Sequence, residues 1–121
     1  MAERALAFIV QNNHILMVKE HVKRGDLVWK FPGGKKEKDE DLVQTCEREV
    51  LEETGYQIKV GEILYQTAKK TIYLATIVGE DHQYLDIEDN EDIISVHWLP
   101  LTDPSWWDDY TQPIIDAYLQ R

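Results

Sequence analysis

The sequence predicts an α/β domain, a mixed sheet with helices packed on it. Three observations lead there. Short apolar runs bounded by Asn, Gly and Pro recur along the chain. A single stretch changes its apolar spacing from two to four, and a second apolar stripe closes the chain. At 121 residues, 43% of them hydrophobic, the chain has the length of one domain with a real core. We expect one domain over residues 1–121.

Ala5 to Val10 and Ile15 to Val18 read as buried antiparallel strands. Asn12-Asn13 between them tolerates the positive φ of a tight hairpin. The segment "KEHVKRGD" reads as a polar loop, and "LVWKFPGG" as a short extended piece that Gly33-Gly34 breaks. From Asp41 to Thr54 the stripe Leu42, Cys46, Val50, with Val43 beside it, marks an amphipathic helix. Asp39 or Asp41 is its N-cap, Asp41 and Gln44 resemble a capping box, and Gly55 stands where a left-handed C-terminal residue belongs. Ile58 to Thr67 and Thr71 to Val78 read as strands, the second apolar on both faces and therefore central. Ile93 to Leu99 reads as a further strand. Thr111 to Leu119, with Pro113 in its first turn, reads as the closing helix.

Charge narrows the function. A formal net charge of -10 argues against a general affinity for nucleic acid or anionic membrane, so any phosphate substrate has to be met by a local device. One cysteine, Cys46, excludes an internal disulfide and suits a reducing compartment. The N-terminal apolar run is too short to span a membrane and lacks the form of a signal peptide, so the cytoplasm is the expected location. His14, His21, His82 and His97 lack metal-ligand spacing, which speaks against zinc.

The stretch "GGKKEKDEDLVQTCEREVLEETGY" concentrates glutamates between two glycine landmarks. On a helix Glu49, Glu52 and Glu53 present oxygens to one side, where like charges repel. A solvated acidic face with Arg48 and Glu52 paired is one explanation. A site for a hard divalent cation, which takes several carboxylate oxygens and removes the repulsion, is the other.

Gly34, Glu40, Arg48, Glu49, Glu52, Glu53 and Gly55 stand at the spacing of the signature of the Nudix (MutT-like) hydrolases, and in these letters the stretch resembles that family. Tyr56 departs from the aliphatic residue usual there, at a position of packing. The resemblance implies a Nudix-type α/β/α sandwich and the metal-dependent hydrolysis of a nucleoside diphosphate linked to another moiety. It implies Mg²⁺ or Mn²⁺ held by Glu49, Glu52, Glu53 and the Gly33 carbonyl, with Arg48 and Glu40 orienting the carboxylates. The general base is Glu52 or a later carboxylate, Glu91 ahead of Glu88. Lys35 resembles a phosphate-contacting lysine.

Trp29, Tyr65 and Tyr73 are candidates for stacking on a base, and Lys69 and Lys70 for reaching a phosphate. Trp106-Trp107 either caps the core or forms a dimer contact. The expected partner is a small nucleotide, with the protein a monomer or homodimer. A catalytically silent Nudix-fold sensor of nucleotides or sugar phosphates is the alternative, and it usually loses a glutamate that this sequence keeps.

Overall fold

The structure, a computed structural model, describes residues 3–21, 27–80 and 93–121. Eight strands and two α-helices follow one another as β1 (Arg4–Phe8), β2 (Val10–Gln11), β3 (His14–His21), β4 (Leu27–Lys30), β5 (Gly33–Lys35), α1 (Leu42–Thr54), β6 (Tyr56–Gln66), β7 (Lys70–Glu80), β8 (Ile93–Pro100) and α2 (Gln112–Leu119). The α/β class with mixed strand directions and helices packed on sheet is thus observed. The strands divide into two sheets, ordered β5-β1-β7-β6 and β2-β3-β4 with β8 on β3. β1 and β7 run parallel, and β7 lies between β1 and β6. An apolar strand on both faces requires such a central place.

The hairpin turns where the asparagines stand, between β2 and β3, with Asn12 at φ 51° and Asn13 at φ 61°. The chain changes sheets at Ile9, so β1 is not the hairpin's first arm. β3 also runs past Val18 to His21, because residues 19–21 pair with β4 and β8. Polar residues in the expected loop therefore belong to a strand.

β1 organises the core. Ala5 and Ala7 face one way, with Leu16, Cys46, Val50 and Ile58, and their small size lets α1 approach closely. Leu6 and Phe8 face the other way, with Ile15, Met17, Phe31, Ile72, Ile114 and Ile115 under α2. Burying Val50 completely contributes on the order of 2 kcal/mol. Phe8 stacks on both Phe31 and Tyr118. Trp106 and Trp107 pack against this second cluster, and the Trp106 indole donates to the Pro100 carbonyl.

Helix α1 starts and stops as its sequence demands. The Asp41 side chain accepts from the Gln44 N–H while the Gln44 side chain accepts from the Asp41 N–H, a complete capping box. Gly55 closes the helix at φ 78°. Tyr56 is half-buried and meets the Trp98 ring edge-on, in keeping with a packing position.

Gly33-Gly34 do more than interrupt a strand. They begin β5, which pairs antiparallel with β1 in the other sheet. Gly33 adopts φ 147°, and a Cβ there would lie 2.2 Å from the Ala5 carbonyl oxygen and 2.6 Å from the Leu6 Cα. Both obstacles are backbone. Gly33→Ala should therefore destabilise the fold by about 2 kcal/mol or more, read by thermal melting. An unchanged melting temperature would contradict this register.

Candidate active site

α1 and β5 meet at a cleft of about 1050 Å³. Its acidic wall is Glu49 and Glu53 from α1 and Glu20 from β3. The Gly33 N–H donates to the Glu53 carboxylate at 3.0 Å. Gly34 leaves room for Glu49, since a Cβ there would stand 2.5 Å from the Glu49 carboxyl carbon. The two glycines thus let a strand lie directly on a pair of carboxylates.

Arg48 ties the rest together. Its Nε and Nη2 form a fork on Glu40 at 3.1 and 2.8 Å, Nη1 donates to Glu49 at 3.1 Å and to Glu52 at 3.2 Å, and Nη2 donates to the Lys35 carbonyl at 3.1 Å. Thr45 donates to Glu40 as well. These hydrogen bonds to Arg48, opposed by burial and helped by the Glu37 N–H and Thr45, hold the Glu40 carboxyl at about 2. One guanidinium thus serves Glu40, Glu49 and Glu52 together and offsets only part of their charge.

Burial pushes the Glu53 carboxyl well above the usual range, and Glu49, Glu20 and Glu52 push the same way against the Gly33 N–H. Glu49 is raised for the same first reason, with Arg48 opposing and Glu52 adding. The donor set suits a hard divalent cation in kind: carboxylate oxygens on two half-buried groups, each disfavoured in its charged form by burial and by Glu52. As the side chains stand, no three Asp, Glu, His or Cys residues among the described ones converge closely enough to hold an ion.

A basic wall completes the cleft, lined by Arg4, Lys30, Lys35, Lys69 and Lys70. Lys30 lies 3.5 Å from Glu20, and the Lys70 ammonium stands 3.9 Å from the Tyr110 ring centre. An acidic chain thus gathers cations at one cleft.

The structure brings Gly33, Lys35, Glu49 and Glu53 to one cleft, with Arg48 behind them and Glu52 on Arg48. It places three aromatic candidates elsewhere. Tyr73 is 8% exposed in the core under α1, so it does not reach a base in this cleft. Trp29 packs against the second core cluster, edge-on to His97 and under the Lys19 ammonium, and does not line the cleft. Tyr65 likewise packs on the second cluster. Glu88 and Glu91 lie outside the described residues.

Glu20, Arg4, Lys30 and Tyr110 were missed. For Glu20 a signal existed: it continues the alternate row Leu16, Val18 on β3, both buried, so a carboxylate at the next place had to come up beside the α1 core. No comparable pattern marks Tyr110, which sits in a loop.

Helices pack on sheet here, and a glycine-led strand lies on helix glutamates. The NUDIX domain family matches residues 1–118, and the chain belongs to the Nudix hydrolase family. Nudix hydrolase 2 of Arabidopsis thaliana is 29% identical over 123 residues, covering 93% of this chain and 42% of the relative. The chain thus spans less than half the length of that relative. Among solved structures, a NUDIX hydrolase from Nitrosomonas europaea superposes with a TM-score of 0.79 at 21% identity, covering 98% of this chain and 88% of the other. A MutT NUDIX hydrolase from Burkholderia pseudomallei does so with 0.74 at 22%, covering 96% of each. These two show the shared fold.

The buried charge has a measurable consequence. The folded state binds the Glu53 proton more tightly than the unfolded chain does, so the associated stability is present at low pH and lost as pH rises through the folded pKa. In EDTA at pH 8, Glu53→Gln, whose amide oxygen still accepts from Gly33, should melt about 3–5 °C above the wild type, and the gap should close towards pH 4. Equal melting at both pH values would contradict a buried, uncompensated carboxylate.

Proposed function

We propose that this protein hydrolyses a pyrophosphate bond in a nucleoside diphosphate linked to another moiety, with Mg²⁺ or Mn²⁺ as cofactor. One observation carries the reading: two half-buried carboxylates with raised pKa values, Glu49 and Glu53, share one cleft with five cations. Glu49, Glu52, Glu53 and the Gly33 carbonyl are the residues that would hold the divalent ion. When bound, the ion screens phosphoryl charge and makes a bound water more acidic.

The chain's own residues do the remainder. Lys35 and its neighbours on the basic wall bind the phosphates and offset the charge that otherwise repels an attacking water. Arg48 acts through the carboxylates, fixing Glu49 and Glu52 in one orientation while Glu40 fixes Arg48. It is a positioning residue. The proton of the attacking water goes to a carboxylate, either Glu52 or Glu91. Membership of the family and retention of every glutamate of its signature support turnover over silent binding. No helix among the described residues is long and apolar enough to cross a membrane. The nucleotide is met as a small molecule, by the protein as a single domain, a monomer or a homodimer.

Release of phosphate or nucleoside monophosphate from nucleoside triphosphates, oxidised purine triphosphates, ADP-ribose and diadenosine polyphosphates, with Mg²⁺, Mn²⁺ or EDTA, tests the reading. Metal-dependent turnover that Glu53→Gln abolishes is expected. Binding across the panel without turnover would replace the enzyme with a sensor. Glu91→Ala should lower the rate by about 10²-fold or more with an altered pH profile; an unchanged profile assigns the base to Glu52.

A further inference from the structure

The basic wall has an order that the family resemblance does not account for. Arg4 is the register partner of Lys35 on one side and of Lys70 on the other. Residues paired across strands share a sheet face, so Lys35, Arg4 and Lys70 form one row over β5, β1 and β7. The adjacent row on that face is Gly33, Leu6 and Ile72, which turns into the core. The cationic row therefore lies along the rim of the sheet, on the side that opens to the cleft. It covers two inter-strand spacings, about 10 Å.

Such a row is costly without a ligand, because like charges directly opposite one another destabilise a sheet. Among the described residues no carboxylate pairs with Arg4, Lys35 or Lys70; the carboxylate at this end, Glu20, stands by Lys30. Lys70 instead lies over Tyr110. Its ammonium is lowered by burial and then by Lys30, which places a fourth cation close by. Tyr110, raised to about 12 by burial, stays a neutral phenol that offers its ring to the ammonium.

We propose that the row Lys35, Arg4, Lys70, joined by Lys30 and floored by Tyr110, binds a chain of phosphates in the cleft that Glu49 and Glu53 also line. A single phosphate does not extend along a row of this length, whereas a polyphosphate arm does. The substrate class is then one with three or more phosphates in line, a nucleoside triphosphate or dinucleoside polyphosphate, in preference to a two-phosphate nucleotide sugar. This deepens the proposed hydrolysis and rests on it for the word substrate, but the anion site itself does not.

Two measurements separate these. Thermal shift of the full chain in EDTA, with inorganic tripolyphosphate or pyrophosphate as probe, reads the anion site without metal or turnover. Tripolyphosphate should raise the wild-type melting temperature more than pyrophosphate does, and Lys70→Gln or Arg4→Gln should remove the difference. Steady-state kinetics with Mg²⁺ on a nucleoside triphosphate and on ADP-ribose then reads selectivity. The ratio of kcat/KM values should favour the triphosphate and fall tenfold or more in Lys70→Gln. Equal shifts by both probes, or a ratio untouched by Lys70→Gln and Arg4→Gln alike, would overturn the proposal. A tripolyphosphate shift in a protein that turns over nothing would keep the anion site and sink the hydrolase.

Discussion

Everything at this site depends on one electrostatic conflict. Glu49 and Glu53 stand half-buried one turn apart on α1; burial and Glu52 raise the cost of ionising both, and Glu49 adds to it at Glu53. The fold accepts the conflict at considerable structural expense. Two glycines replace side chains where β5 crosses the helix, one leaving room for Glu49 and the other donating its N–H to Glu53. An arginine is fully committed behind them, held by Glu40 and so unable to turn into the cleft. A core built only for stability would not place two carboxylates there. The arrangement has a physical rationale once a cation completes it.

The same conflict sorts the charges of the whole molecule. A chain of net charge -10 keeps a cationic rim on one side of one cleft. Sheet pairing does the sorting: β1 is central enough to put Arg4 between cations of two other strands, and the sheet change after β4 carries Lys30 to the same place. The carboxylates of the cleft come from α1 and β3, and its cations from β1, β4, β5, β7 and the turn before β7.

How much of this was legible depended on how local its cause was. The limits and caps of α1 follow from Asp41, Gln44 and Gly55, each acting within a turn, and they read directly from the sequence. The central place of β7 was legible because burial on both faces leaves a continuous apolar run. The glutamates and glycines of the signature were legible through spacing. What failed was non-local. Tyr73 and Trp29 have the chemistry to stack on a base, but strand register sends one under α1 and the other onto the second core cluster. Arg4 and Lys70 are 66 positions apart in the chain and become neighbours only through parallel pairing of β1 with β7. Polar residues after Val18 looked like a loop since a strand face open to a cleft need not be apolar.

The central claim is that protonation of Glu53 and occupation by a divalent cation are mutually exclusive. Calorimetric titration with Mn²⁺ in buffers of differing ionisation heat measures the protons released per ion bound. The account predicts net proton release near neutral pH, an affinity that rises with pH, and loss of both in Glu53→Gln. Binding with no proton release, unchanged by pH and by that substitution, would place the cation elsewhere and leave the buried pair without its purpose.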